Sequence, residues 1–439
     1  MPRDVRLIRS PLSIAGMVLT TISAVLFLVV FLADLFGLHT NPYIGIVFFL
    51  ILPALFLLGL VLIPLGAWVE RRRRASGKAP SAIAWPRLDL NDPAQRTRAV
   101  LIFALSIANV VIVSLAAYRG VEYMDSVSFC GQVCHTPMHP EFVAHATGAH
   151  ANVKCVECHV GAGATSFVSA KAAGTRRVLA MMRRNYSRPI VPEPSQLVEA
   201  ADTCERCHSP ALYHGDKIRR VVEYADNEKN AETVTTLKVH VGGGDERRGL
   251  ATGIHWHMNV ANDIEYIATD KTRQTIPWVR MTDRSGVVRE FVVAGTTPEQ
   301  LGQGERRRMD CMDCHNRPSH VVAPTPERAV NEAMAAGVIP LTLPFVHRES
   351  VKALKSGNPA SLRDFYRSQP RDQVDRVVAA VQDIYQRNVF PAMNVTFGTY
   401  PDNVGHVDSP GCFRCHDDQH KTNDGKKIGQ DCETCHAIE

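Results

Sequence analysis

The sequence has no cysteine to spare. All twelve fall in six short clusters, and none lies between about Ala211 and Arg308, which excludes a disulfide framework spread through the chain. Nothing resembles an aromatic stacking platform or a basic recognition helix, so the formal net charge of +5 carries no nucleic-acid reading. Long apolar runs are missing after Tyr118, and no acidic residue occurs from Val160 to Pro192. The first apolar run also lacks the short core and small-residue cleavage site of a secretory leader.

What is present before Tyr118 is apolar. Leu12 to Phe36 is almost uninterrupted, long enough at about 1.5 Å per residue to cross a hydrocarbon core of roughly 30 Å. Tyr43 to Val69 gives a second span, with Pro53 and Pro64 tolerable as kinks, and Ala99 to Tyr118 a third. Arg71, Arg72, Arg73 and Arg74 close the second span, and Arg3, Arg6 and Arg9 precede the first. Basic clusters stay in the cytoplasm, so both ends of the first hairpin are expected inside and everything after Tyr118 outside. Asn109 reads as a tolerated polar residue and His39 as a loop residue.

The cysteine clusters carry the chemistry. Cys155-Val-Glu-Cys158-His159 is the c-type haem attachment pattern, in which two thiols add to the haem vinyl groups and the next histidine ligates the iron. The pattern recurs at Cys204/Cys207/His208, Cys311/Cys314/His315, Cys412/Cys415/His416 and Cys432/Cys435/His436, and with one extra residue at Cys130/Cys134/His135. Zinc ribbons share the paired cysteines but do not need a histidine after every second one. Six covalent haems are expected, attached outside the cytoplasm, which agrees with the arginine topology. Short helices are expected to carry the motifs.

Sixth ligands must come from the remaining histidines or from Met138. His150, His320, His406 and His420 each lie within six residues of a motif and are ranked first. In His255-Trp256-His257 only one imidazole is expected to meet a given haem, and His257 is taken as the candidate. His145, His214, His240 and His347 read as surface or supporting residues, Met393 as packing.

The expected fold is a membrane-anchored multihaem cytochrome c: three transmembrane α-helices, then a mostly α and irregular, haem-packed periplasmic domain with a small β-hairpin insertion. Residues 1–119 form the anchor, with spans at about 12–36, 43–69 and 99–118 and a cytoplasmic loop 70–98. Residues 120–210 hold the first three motifs, 211–310 the insertion, and 311–439 the last three. The hairpin is read from Trp278–Met281 and Val287–Val293 about Asp283-Arg284-Ser285-Gly286. Val241-Gly242-Gly243-Gly244 reads as a loop, since a phosphate cradle would need a following lysine and helix. A helix should open at Thr325-Pro326 and stop at Gly337, and another should cover about Arg371 to Arg387.

From Gly120 to Arg184 the sequence resembles the NapC/NirT/NrfH family of membrane-anchored cytochrome c quinol dehydrogenases, on Phe129-Cys130 to Met138, the paired first motifs, and Cys155-Val-Glu-Cys-His-Val-Gly-Ala-Gly with Lys171 twelve residues past His159. Its extra motifs resemble the larger inner-membrane members of the ImcH type. The resemblance implies Met138 as ligand of the first haem and Lys171 beside a quinol site. The family's acidic residue some seven positions past the lysine is Val178 here. The implied function is quinol oxidation, with menaquinol as a candidate substrate and electrons passing to periplasmic or outer-membrane cytochromes or reductases. An electron-relay or anchor subunit for a membrane partner, without its own quinol site, and an oxyanion reductase are the alternatives. All six motifs keep histidine, which argues against the last.

Overall fold

The computed structural model describes residues 10–35, 52–77, 89–133, 135–160, 164–191, 200–208, 215–242, 253–258, 263–283 and 285–438. The chain divides into two compact units, Met1–Val133 and Cys134–Glu439. The expectations for His39, His214, residues 43–51, the arginines before Ser10, and Gly243 and Gly244 lie outside the described residues, as do Cys134 and Arg284.

The first unit holds three helices long and apolar enough to cross a membrane: α1, Pro11–Leu35; α2, Leu52–Ala75; and α3, Pro93–Met124. Small residues let α1 and α2 approach closely. A Cβ on Gly16 would meet the carbonyl oxygen of Gly59 at 2.7 Å, and one on Gly66 would meet the backbone nitrogen of Ser13 at 2.5 Å. Ser13 Oγ also donates to the carbonyl of Ile63 at 2.8 Å. Close contact and side-chain hydrogen bonds are what hold helices together in lipid, where apolar burial gives little. The outward faces, with Val18, Ile22, Val25, Leu57 and Val61, remain exposed and apolar. Pro64 lies inside α2, which continues to Ala75 and so carries the arginine cluster on its last turn. The third helix extends beyond its apolar stretch at both ends. Asp92 caps it by accepting from the Ala94 amide, with Pro93 in the first position.

In the second unit, α4 (His135–Thr147) and α5 (Ala164–Met182) precede two antiparallel sheets. One sheet joins β1 (Asp216–Tyr224), β2 (Glu232–His240) and β8 (His436–Ile438). The other runs β6-β3-β4-β5-β7: Glu305–Arg308, Asp263–Ala268, Trp278–Thr282, Val288–Val293 and His420–Lys421. The expectation of a small hairpin is therefore corrected. Trp278–Thr282 and Val288–Val293 do pair, but inside a five-stranded sheet, and both sheets take an edge strand from the C-terminal region. Strands of two to nine residues, paired with segments far away in sequence, leave only a faint period-two pattern.

The second unit also holds an apolar core built from the chain alone. Three helices, α6 (Pro326–Ala335), α7 (Val346–Lys355) and α8 (Arg371–Asn388), bury an ordinary apolar core of Val330, Met334, Ile339, Leu343, Leu354, Val377, Val381 and Ile384. Thr325 caps α6 and Gly337, at φ +71°, follows its end, as its breakers imply. Asn230, in the turn between β1 and β2, accepts from the His347 amide and donates to the carbonyl of Leu343, tying that hairpin to the helices. Met393 packs with Phe390 and Val395 in a smaller cluster.

Candidate functional site

Each motif sits on or directly against a short helical turn: Cys155–His159, Cys204–Arg206, Cys311–Cys314, Gly411–Arg414 and Cys432–Thr434. A spacing of three residues brings two side chains to one face of such a turn, where they can reach one flat ligand. Cys130 lies on a π turn, Phe129–Val133, the wider turn suited to a motif with an extra residue. The described cysteines are all free thiols.

Cys207 lies one residue past its turn, as the C-cap of Cys204–Arg206. Its amide donates to the carbonyl of Cys204 at 3.2 Å, and this i to i+3 bond closes a single 3₁₀ turn with the second cysteine as its last member. Cys415 and Cys435 cap their turns in the same way. The bond keeps Cys207 within one turn of Cys204, so the pair retains the spacing that a thioether-linked haem needs.

Local hydrogen bonds also fix the turn of the fourth motif. Asp310 accepts from the Met312 amide, and Asp313 Oδ2 accepts from the Asp310 amide at 2.7 Å. Asp313 is buried; Tyr266 Oη donates to it at 2.5 Å and Arg307 Nε at 2.9 Å. Burial pushes its carboxyl pKa up against the opposing pull of Arg307.

Five motif histidines each face a second imidazole. Ring centroids are 6.1 Å apart for His159 and His320, 6.1 Å for His208 and His150, 6.4 Å for His315 and His255, 5.8 Å for His416 and His257, and 6.1 Å for His436 and His406. Metal–nitrogen bonds of about 2 Å on opposite sides of one atom place imidazole centres roughly 6 Å apart, so the donor sets fit iron with two axial histidines. The hydrogen bonds agree. Nδ1 of His150, His255, His257 and His320 lies 2.9–3.1 Å from the carbonyl oxygens of Pro318, Val241, Ile254 and Glu141 respectively. A neutral imidazole that donates its Nδ1–H to a carbonyl carries its lone pair on Nε2. Burial lowers the pKa of His159, His255, His257, His315 and His320, favouring that neutral form.

Two readings of the histidines change. His420, ranked as a ligand for its nearness to His416, is fully buried with Nδ1 on Asp417 Oδ1 at 2.8 Å and Nε2 on the carbonyl of Ile276 at 2.7 Å. Acceptors occupy both nitrogens, and the ring clamps β7 to the sheet. His255, passed over, faces His315 instead. Its signal was the doublet itself: residues 254–258 form a 3₁₀ turn, in which alternate side chains diverge, so two imidazoles serve two places. His145 and His347, read as surface or supporting residues, are buried and hydrogen-bonded: His145 Nε2 meets the carbonyl of Val153, and His347 Nδ1 meets Asp226. Met138 lies half-buried on α4, and Lys171 on α5. The side chains of His135 and Lys171 fall outside the described residues, so neither has a stated partner.

The motifs also adjoin one another in order. Cys158 lies beside Cys204, Cys204 beside Cys311, Cys314 beside Cys415, and Cys412 beside Cys435. From the second motif to the sixth, neighbours in sequence are neighbours in space.

No family model and no solved structure matches the chain. It is similar to the cytochrome c-type protein ImcH of Geobacter sulfurreducens (strain ATCC 51573 / DSM 12127 / PCA), with 36% identity over an alignment of 448 residues that covers 98% of this chain and 88% of that protein. With three membrane-compatible helices, paired imidazoles at five of the six motif histidines and this likeness over nearly its whole length, the chain belongs to the family of membrane-anchored, electron-transferring c-type cytochromes that includes ImcH.

Proposed function

We propose that the protein is a quinol dehydrogenase of the NapC/NirT kind, carrying electrons from the membrane quinol pool through six covalent haems to periplasmic or outer-membrane cytochromes or reductases. The observation that carries the reading is the ordered run of motifs, the second to the sixth each facing an imidazole from elsewhere in the chain. When bound, each haem iron takes or gives one electron between its ferric and ferrous states. His320 is assigned opposite His159, His150 opposite His208, and His406 opposite His436, while Met138 remains the candidate at the first motif. Imidazoles on both sides leave no coordination place for an oxyanion at these sites, which weighs against a reductase. The arginines that end α2 argue for a cytoplasmic N-terminus and a periplasmic second unit.

Oxidation of a quinol releases two protons, so the site needs a hydrogen-bonding or ionisable group beside the haem that takes the electrons. Lys171 is the candidate, on a helix whose sequence has no carboxylate; its ammonium would donate a hydrogen bond to the quinol oxygen, with the released protons passing to water. A relay role for a membrane partner is the second reading, favoured by the exposed apolar faces of α1 and α2. Lys171→Met separates the cases. Reduction by a menaquinol analogue should fall by about 100-fold while dithionite still reduces the protein fully. Unchanged quinol kinetics would remove Lys171 from the site. Wild-type protein reduced by dithionite but by no quinol would favour the relay.

A further inference from the structure

The fourth and fifth motifs are bolted together more tightly than any sequence spacing suggests, and both meet the same three residues. We propose that His255 and His257 are axial ligands to two different haems, His255 on the iron of His315 and His257 on the iron of His416, and that the triplet makes these two haems one rigid unit. The inference rests on the reading that both motifs carry haem.

On one side is the 3₁₀ turn Ile254–Met258. His255 lies 6.4 Å from His315, with ring planes 12° apart; His257 lies 5.8 Å from His416, with planes 85° apart. The carbonyls of Val241 and Ile254 orient the two Nδ1 atoms. Trp256, between them, packs into the core of the five-stranded sheet beside Cys415 and Ile428, so neither imidazole can move without that core. On the other side, the motif turns are joined directly. Arg414, between the cysteines of the fifth motif, is buried and donates to the carbonyl of Asp313, between the cysteines of the fourth, at 2.6 Å. Asn403 donates to the same carbonyl at 3.1 Å, and Arg414 also donates to the carbonyl of Arg273 at 3.0 Å. The cationic side chain thus locks both turns to the sheet that also positions the triplet.

The two sites must differ electronically, because the angle between axial imidazole planes sets the splitting of the iron dπ orbitals. Near-parallel planes split them and give an ordinary rhombic low-spin ferric signal. Near-perpendicular planes leave them almost degenerate and give a strongly anisotropic signal with a much larger highest g value. The geometry assigns the first to the His255 site and the second to the His257 site.

The test uses full-length protein in detergent, with His255→Leu and His257→Leu made singly, since leucine has no atom that can ligate iron. Intact mass after denaturation reports haem attachment, and low-temperature electron paramagnetic resonance of the oxidised protein reports ligation. Each variant should keep the wild-type haem mass; His255→Leu should lose one haem's worth of rhombic signal and His257→Leu one haem's worth of the anisotropic signal. Retention of all low-spin signals in either variant, or loss of the same signal in both, overturns the proposal. Wild-type mass lacking haem on the fourth or fifth motif would instead overturn the haem reading beneath it. If a leucine variant fails to accumulate, His257→Gly with added imidazole serves: the anisotropic signal should be absent without imidazole and return with it, and a signal indifferent to imidazole counts against the assignment.

Discussion

From Pro326 to Asn388 the chain contains no cysteine and buries Val330, Ile339, Leu343, Val346, Val377 and Val381 to 1% exposure or less. From Gly411 to Ile438 it contains four cysteines, and its only buried residues are Gly411, Arg414 and His420. Both belong to one unit, yet different forces hold them. The helical part obtains its order by removing aliphatic surface from water. The C-terminal part has no aliphatic interior of its own; two edge strands, buried polar clamps and the thiols that would tether cofactor are what it has. One region can be expected to fold from its own chain, and the other to depend on what its cysteines hold.

The harshest way to break that contrast is to remove the tether. In Cys412→Ser/Cys415→Ser protein, amides of residues 411–438 should lose protection from hydrogen exchange by about 100-fold or more, a local opening rather than global unfolding. Those of α6 to α8 should keep theirs. Equal loss in both regions would mean that the helical core also depends on the cofactor.

The complementary change empties the helical core. Leu354, 3% exposed, packs among Val351, Val377 and Val381, so Leu354→Ala should cost about 2–5 kcal/mol in that part. Denaturant titration followed by far-ultraviolet circular dichroism should show the shift. Soret absorbance, reporting the cysteine-bearing part, should move less. A single shared transition with the full shift in both signals would show that the two regions unfold together.

This division also explains what could be read from sequence. The three spans, α6 and α8 were legible because apolar runs, Thr325-Pro326, Gly337 and the valine face of α8 are local signals. The motif cysteines and histidines were equally plain, since their chemistry fixes their spacing. The sheets were hidden too, because β7 and β8 are two- and three-residue edges whose partners lie over a hundred residues away. Distal histidines were ranked by distance along the chain, and that ranking misses a ring whose partners are remote: His420 is taken by Ile276 and Asp417. It picks out His320 but not which motif it meets, since His320, from beside the fourth motif, faces His159 of the second.

The mildest probe asks whether the sheet behind the fourth and fifth motifs gains stability from charge. Arg273 is buried and donates from Nε to Glu305 Oε2 at 3.0 Å and from Nη2 to Oε1 at 2.7 Å, a bidentate pair joining the turn after β3 to β6. Hydrogen bonding and the charge of Arg273 lower the folded pKa of Glu305 against the opposing effect of burial. Because the folded value lies below the unfolded one, the stabilisation is fully present above the unfolded value of about 4.3 and disappears as pH falls through the lower, folded value. Glu305 is half exposed, so solvent screening limits the effect to about 1 kcal/mol at neutral pH. Glu305→Gln should therefore lower the denaturation midpoint slightly at pH 7, and the difference from wild type should shrink to nothing once the pH has fallen below the folded value. A gap that persists undiminished in acid would show that the side chain acts by shape and neutral hydrogen bonding, placing this sheet with the apolar helices rather than with the polar clamps.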